Sequence, residues 1–242
     1  MKILFAAAEV APFSKAGGLA DVVGSLPKHL EKDAEIAIFT PLHGLIDTNK
    51  WGIKELENSE MWLTFGGMGH KFRLFMCQLP GTKINVFFVH NDWYFSCFNE
   101  VYPKWLDTKY EHERYIAFSL ATMEYAKLLN FKADVIHAND WHTAMIPVYL
   151  HSNYRFDEFW KDTKCVFEIH NLLSSLRFDD HDVVDVGIVF KRFLNALGEM
   201  AVRLDDRVGG VALGLAEQAH ERDVHLSLST LVMCATTPGL SC

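Results

Sequence analysis

The sequence contains no run of lysine and arginine and no long apolar stretch. Among its 242 residues, 23 lysines and arginines stand against 31 aspartates and glutamates, which gives a formal net charge of −8. An acidic chain without a basic stripe does not offer the electrostatic footprint that a nucleic-acid groove requires. No apolar stretch reaches the roughly 18 residues that a membrane-spanning helix needs. We therefore expect neither nucleic acid nor a membrane as a partner.

An export signal is also missing from the start of the sequence. Residues 1–8 are apolar, but Glu9 and a glycine loop follow at once, where a signal peptide would have a small-residue cleavage site. The sequence therefore predicts a cytoplasmic protein.

Cysteines are few, odd in number and never spaced as Cys-x-x-Cys, so the sequence predicts neither a disulfide framework nor a zinc site. His137 and His142 flank Asp140 and suggest a metal site at first sight. No carboxylate or cysteine cluster with the usual ligand spacing accompanies them. We therefore expect no metal and no cofactor.

What the sequence does contain is a regular alternation of apolar strands and helices. Half of its residues are hydrophobic, enough for a sizeable core. A helix from Leu19 to Leu30 has Pro27 as a kink or early stop, and further helices are predicted over residues 111–130 and up to Leu150. The alternation predicts an α/β protein with a Rossmann-like, doubly wound parallel sheet. Strands are predicted over residues 2–8, 36–40, 72–79, 83–90, 134–138 and 165–169, with 72–79 and 83–90 spaced for a hairpin.

The turn between the first strand and the first helix carries a distinctive segment, residues 15–21 (KAGGLAD). Gly17 and Gly18 have no Cβ, so a ligand can approach their backbone closely, and the helix N-terminus offers free N–H groups to an anion. Lys15 adds a mobile positive charge beside them. A glycine pair before a helix also occurs in tight turns that bind nothing, so both interpretations stay open on these residues alone.

Residues 7–12 (AAEVAP) run directly into residues 15–23 (KAGGLADVV), and this segment resembles the bacterial glycogen synthase and plant starch synthase family of the ADP-glucose type. Residues 134–143 (DVIHANDWHT) and 169–172 (IHNL) resemble two further signatures of that family. The resemblance covers about residues 1–172. It implies the N-terminal catalytic domain, which is the N-terminal half of a GT-B glycosyltransferase.

The resemblance implies a reaction and a set of roles. Glucose would pass from ADP-glucose to the non-reducing end of an α-1,4-glucan with retention of configuration, without a metal, in a cleft between two domains. Near the donor phosphates it implies binding roles for Lys15, Gly17, Gly18 and Asp21. At the donor glucose and the reaction centre it implies catalytic roles for Asp140 and His170, and for Asn139 it implies substrate binding. Taken singly, a histidine or aspartate at a strand end is more often structural than catalytic.

Residues 94–97 (YFSC) and Tyr102 resemble a family segment near the glucan-binding face, where Tyr94 would contact the substrate. An arginine that the family has near Cys97 is missing here. Packing in the core explains these aromatic rings equally well.

The resemblance weakens after Leu172. Where the family continues with a Tyr-Gln-Gly-like turn, this sequence has Leu173, Ser174 and Ser175, and residues 226–242 carry no charge. We expect residues 173–242 to be a divergent part that either completes the same domain or is partly disordered. The second GT-B domain is not recognisable in the sequence and would have to act as a partner.

The sequence leaves three candidate functions for this chain. The first is a glucosyltransferase with weak or no activity as an isolated chain, and the second is a non-catalytic domain that binds glucan or a synthase partner. An unrelated Rossmann-like nucleotide-binding protein ranks last, because no Gly-x-Gly-x-x-Gly follows the first strand.

Overall fold

The computed structural model describes residues 1–170 and 231–235, and within them the chain alternates between strands and helices. The helices are α1 (Gly18–Leu30), α2 (Thr48–Trp51), α3 (Thr108–Leu128) and α4 (Met145–His151). The strands are β1 (Lys2–Ala6), β2 (Glu35–Pro41), β3 (Lys54–Glu55), β4 (Met61–Phe65), β5 (Met68–Gln78), β6 (Asn85–His90), β7 (Val135–Asn139), β8 (Lys164–Ile169) and β9 (Leu231–Ala235).

The strands form one open sheet in the order β3-β5-β6-β2-β1-β7-β8-β9, with β4 paired to β5. The central strands β6, β2, β1, β7 and β8 are parallel, whereas β5 runs antiparallel to β6 and β9 runs antiparallel to β8. The α/β class is confirmed, but the sheet is mixed at its margins instead of wholly parallel. The short turn between β5 and β6 is the reason on one side, because a few residues can join only antiparallel strands.

The sheet is covered on both faces, because alternate side chains of β1 belong to two different apolar clusters. Ile3 and Phe5 belong to the apolar cluster that includes Leu19 and Val23 of α1. Leu4 lies in the other cluster, with Phe118 and Ala121 of α3 among its members. Since neighbouring side chains of a strand point to opposite faces, a continuous apolar strand packs a helix on each side.

Most expected elements are confirmed, and three strands were missed. Helix α1 continues through Pro27 to Leu30, and α3 begins after Asp107, whose side chain accepts a hydrogen bond from the Lys109 N–H at 2.9 Å. Strands β3, β4 and β9 were not predicted. Of the expected part 173–242, residues 231–235 form β9, and the others lie outside the described residues. In the described part of the chain, no helix is long and apolar enough to cross a bilayer.

Candidate active site at the carboxyl edge of the sheet

The three segments singled out in the sequence follow neighbouring strands. β1 pairs with β7 and β7 pairs with β8, all in parallel. Their carboxyl ends therefore meet at one edge of the sheet, the usual place for ligands in open α/β proteins. The glycine loop follows β1, Asp140 follows β7 and His170 follows β8.

The loop between β1 and α1 is organised by Glu9, which sequence reasoning did not select. The side chain of Glu9 is buried, and its carboxylate accepts hydrogen bonds from the backbone N–H groups of Ala16 and of Gly17, the latter at 3.1 Å. A negative charge here also suits the positive end of the helix dipole. The N–H groups left for an external anion are those of the first turn of α1, which begins at Gly18.

Lys15 and Asp21 form an ion pair beside this loop, with Nζ 2.7 Å from the carboxylate and both side chains more than half exposed. The space above Gly18 is open, since a Cβ placed there would meet nothing within 4 Å. At Gly17 the nearest atom to such a Cβ is Oε1 of Glu9 at 3.4 Å. Gly24 differs, because its Cβ would lie 2.5 Å from the Ala11 carbonyl oxygen. Packing therefore requires glycine at Gly24 but not at Gly18.

Asn139 connects the ends of all three strands. Its Nδ2 donates a hydrogen bond to the Ala6 carbonyl at 3.1 Å, and its Oδ1 lies 3.1 Å from Nε2 of His170. A backbone carbonyl only accepts, so the Ala6 contact fixes which way the amide points. Oδ1 must then accept from His170, whose proton therefore sits on Nε2. In the neutral ring, Nδ1 of His170 carries the lone pair.

Asp140 joins the ends of β7 and β8. Its Oδ1 accepts from the backbone N–H of His170 at 2.7 Å, and its own N–H donates to the Glu168 carbonyl at 2.8 Å. The backbone of Asp140 has φ 57° and ψ 176°, a conformation that is costly for a residue other than glycine. Such strain at the site indicates that the surrounding contacts hold the aspartate in place.

Glu168 and His137 complete the site, and neither was chosen from the sequence. Oε2 of the buried Glu168 lies 3.2 Å from Nε2 of His137 and 3.6 Å from Nε2 of His170. The contact with His137 holds the pKa of Glu168 below its usual range despite burial, and His170 contributes in the same direction. The available signal was a glutamate inside the otherwise apolar run of β8, directly opposite Asn139 in the register.

His142 does not join His137. It is buried, its ring stacks on Tyr102 with centroids 5.0 Å apart, and burial lowers its pKa well below the usual value. Over residues 1–170 and 231–235, no group of three or more histidine, cysteine, aspartate and glutamate residues is arranged to hold a metal ion.

Two buried basic side chains, Arg114 and His43, differ in their charge. The guanidinium of Arg114 is surrounded by the rings of Phe95, Phe98 and Tyr115, whose centroids lie 5.0 to 5.3 Å away. Nε2 of His43 donates to the Ala8 carbonyl at 2.8 Å. Burial lowers the pKa of His43 to about 3, and the charge of Arg114 adds to this effect. His43 is therefore neutral in the folded protein at neutral pH.

Tyr94 is fully buried. Its hydroxyl donates to Oε1 of Glu113 at 2.6 Å, and its ring packs against neighbouring aromatic rings. Its role in substrate binding stays a prediction. Two tryptophans close to Tyr94 in the sequence are exposed instead. Trp93 and Trp105 have 69% and 72% of their surface accessible.

Comparison with known proteins identifies relatives for most of the chain. The family model described as the starch synthase catalytic domain matches residues 2–216. A curated glycogen synthase of Thermotoga petrophila is 37% identical over an alignment of 211 residues, and the match covers 81% of this chain and 42% of that protein. The glycogen synthase of Thermotoga maritima is 41% identical over 177 residues, covering 71% of this chain and 35% of that protein. The chain thus spans about two fifths of the length of these relatives.

A solved structure is similar as well. The catalytic domain of starch synthase IV from Arabidopsis thaliana, bound to ADP and acarbose, superimposes with a TM-score of 0.60 at 26% identity. The likeness covers 70% of this chain and 34% of that one. It confirms the fold class that the sequence predicts.

Proposed function

Because this chain belongs to the starch synthase catalytic-domain family of glycosyltransferases, we propose that it supplies the N-terminal, donor- and acceptor-contacting part of a glucosyltransferase. The proposed reaction moves glucose from ADP-glucose to the non-reducing end of an α-1,4-glucan with retention of configuration. We also propose a cytoplasmic location.

The observation that carries the proposal is the convergence of three polar segments at one edge of the sheet. Asp140 and Asn139 each contact His170, at 2.7 and 3.1 Å, and Asn139 also contacts the end of β1. Side chains held by such contacts are fixed in orientation, which is what positioning of a sugar requires. The glycine loop with Lys15 follows the same strand β1.

The chemistry of transfer fits these residue types. Departure of a nucleoside diphosphate develops negative charge, which Lys15 and the free N–H groups at the start of α1 can stabilise. Glycine at Gly18 is not needed for packing, and close approach of a phosphate accounts for it. Asp140 accepts hydrogen bonds from sugar hydroxyls, and Nδ1 of neutral His170 does the same.

The substrates are proposed from the relatives. The Arabidopsis structure contains ADP and acarbose, and the curated relatives are named glycogen synthases. We assign ADP-glucose as the donor and an α-1,4-glucan as the acceptor on that basis. The partner that completes the cleft would be a second GT-B domain.

The test is transfer of labelled glucose from ADP-glucose to glycogen by the 242-residue chain, together with calorimetric binding of ADP-glucose. Incorporation that disappears in Lys15→Ala and His170→Ala supports the proposal. A chain that binds neither ADP-glucose nor glycogen contradicts it.

A second candidate is a non-catalytic module that binds glucan or a partner. The exposed rings of Trp93 and Trp105 favour it, because flat aromatic faces suit contact with sugar rings. Glycogen binding that is unaffected by ADP-glucose, and is lost in Trp93→Ala, would favour this candidate over the enzyme.

A further inference from the structure

We propose that a cavity at the amino edge of the sheet is a second binding site, for a small phosphate ester that carries a flat ring, such as a nucleoside monophosphate. The cavity has a volume of about 400 Å³, which lies within the roughly 300–1,000 Å³ of small-molecule sites. None of the residues assigned to the candidate transfer site lines it, and the proposal does not rest on the transfer reaction.

The cavity lies between the end of α4 and the start of β8. Leu150 and His151 from the last turn of α4 line it, together with Thr163, which precedes β8, and Cys165 of β8 itself. His170 follows the opposite end of β8, and five residues of extended strand span roughly 17 Å. The cavity is therefore remote from the residues at the carboxyl edge of the sheet.

Several side chains of the lining present apolar surface, namely Pro147, Leu150, Tyr154 and Trp160. The rings of Tyr154 and Trp160 are almost completely buried, and their centroids lie 6.3 Å apart. The hydroxyl of Tyr154 already donates to Glu124, so its ring is the part that remains for a ligand. Walls of this kind suit the apolar face of a planar molecule.

Phe156 adds an aromatic face that the fold itself does not bury. It borders the cavity, and 88% of its surface is exposed. Its ring centroid lies 5.3 Å from the guanidinium carbon of Arg155. A planar ligand stacked on Phe156 would remove apolar surface from water, which is favourable. Phe156 and Arg155 thus place a ring face and a positive charge within the length of one small ligand.

Three basic side chains and no acidic one are found among the described residues of the lining. The basic ones are His151, Arg155 and Lys161. Lys161 has a partner, because its Nζ lies 2.5 Å from the carboxylate of Glu158. In a chain of net charge −8, this lining is a local excess of positive charge. Such an excess favours an anionic ligand over a neutral one.

The acidic residues nearby in the sequence do not compensate Arg155. Asp157 pairs with Lys127 at 2.6 Å, and Asp162 pairs with Lys132 at 3.5 Å. Within residues 1–170 and 231–235, no carboxylate forms an ion pair with Arg155. A guanidinium binds a phosphate group through two parallel hydrogen bonds, and a phosphate monoester carries about −1.5 to −2 charges at neutral pH. The combination of charge and ring surfaces therefore fits a phosphate ester with a flat ring.

The experiment is calorimetric titration of the 242-residue chain with AMP, with adenosine, which lacks the phosphate, and with ribose 5-phosphate, which lacks the ring. AMP is expected to bind at least about tenfold more tightly than either of the others. Ribose 5-phosphate that binds as tightly as AMP would overturn the proposed ring contact. Adenosine that binds as tightly as AMP would overturn the proposed anion site.

Two variants assign the binding to the cavity. Arg155→Gln should weaken AMP at least about tenfold, and Phe156→Ala roughly fivefold. Both side chains are exposed, so both variants should unfold like the wild type. Lys28→Gln changes another exposed cation and should leave the AMP affinity unchanged. An Arg155→Gln chain that binds AMP like the wild type overturns the proposal.

The donor loop is the competing site for AMP, because AMP shares its adenosine and one phosphate with ADP-glucose. Lys15→Ala should leave AMP binding in the cavity unchanged, and Arg155→Gln should leave ADP-glucose binding unchanged. AMP binding that is lost in Lys15→Ala and kept in Arg155→Gln overturns the proposal. The same holds if maltotriose, an uncharged glucan, binds in a manner that needs Phe156 while AMP does not bind. AMP binding that needs Arg155 in a chain without affinity for ADP-glucose would support the cavity site and contradict only the proposed function.

Discussion

The carboxylate of Glu9 lies 3.1 Å from the backbone nitrogen of Gly17 and accepts its hydrogen bond. An anionic side chain of the protein itself therefore occupies part of the turn ahead of α1. The loop is organised before any ligand arrives, and an incoming phosphate meets the N–H groups of the next residues along the helix.

Removing this anchor should destabilise the fold. Glu9→Ala leaves the N–H groups of Ala16 and Gly17 without their partner, and we expect a loss of about 2 kcal/mol in the free energy of unfolding. Urea titration followed by circular dichroism measures it. Glu57→Ala serves as the exposed control, and an equal effect of both substitutions would contradict the assigned role of Glu9.

The two glycines of the first βα unit should respond differently. Gly24→Ala places a Cβ 2.5 Å from the Ala11 carbonyl and is expected to cost about 1–3 kcal/mol of stability. Gly18→Ala meets no atom within 4 Å, so its stability should change by no more than about 1 kcal/mol, while its affinity for ADP-glucose falls. Thermal unfolding and calorimetry distinguish the two. Full donor affinity in Gly18→Ala would remove the reason given for a glycine there.

Lys15 should contribute to the affinity for ADP-glucose and not to the stability of the fold. Its ion pair with Asp21 is exposed, and such pairs contribute about 0–1 kcal/mol. We expect Lys15→Ala to unfold like the wild type but to bind ADP-glucose at least about tenfold more weakly. Lys71→Ala breaks a similarly exposed pair with Glu60 and is the control for donor binding. Equal donor affinities in the two variants would contradict the role of Lys15.

The backbone of Asp140 offers a comparison between two small residues. Both Asp140→Ala and Asp140→Gly lose the hydrogen bond to the His170 N–H, but only glycine relieves the positive φ of 57°. The glycine variant should therefore be the more stable of the two by about 1 kcal/mol, and both should lose transfer activity. Chemical denaturation measures which of the two variants is more stable. An alanine variant as stable as the glycine variant would argue against strain at this position.

His43 should make the protein sensitive to acid. Its folded-state pKa of about 3 lies below the ordinary value of 6.5, so below about pH 6.5 the unfolded chain takes up a proton that the folded chain refuses. Stability is then lost as the pH falls, by about 2 kcal/mol between pH 7 and pH 5 for this one group.

The matched test is His43→Gln, which keeps a donor for the Ala8 carbonyl. Its unfolding free energy should fall by about 2 kcal/mol less than that of the wild type over the same pH interval. His151→Gln changes an exposed histidine and should leave the pH dependence as it is. The same pH dependence in His43→Gln and the wild type would contradict the prediction.

Local patterns predicted the parts of the site that lie within single segments. The glycine loop, residues 139–140 and His170 each follow an apolar strand, and parallel pairing then brings them to one edge. Glu168 and His137 were missed because they lie on different strands, and only the pairing of β7 with β8 brings their side chains together. Asn139 contacts Ala6 at a sequence separation of 133 residues, which no local pattern reveals.

The dependence on contacts between distant residues also explains other differences between the sequence-based predictions and the structure. Tyr94 lies in a short π-helical turn (Asp92–Ser96) in which Trp93 is exposed whereas Tyr94 and Phe95 are buried, so sequence alone could not separate the burial of Tyr94 from the exposure of Trp93. Strand β3 has only two residues, Lys54 and Glu55, and no apolar pattern marks it. Strand β4 (MWLTF) is largely apolar and was overlooked, and both strands are defined by their pairing with β5.

The pairing of β9 with β8 has a consequence for any shortened version of this chain. Leu231 lies opposite Ile169, the residue before His170, and the antiparallel ladder continues to Cys165 opposite Ala235. Cutting the chain ahead of β9 would turn β8 into an edge strand with a row of unpaired N–H and C=O groups. Such an edge is a template for self-association, and it would lie directly beside the residue proposed for catalysis.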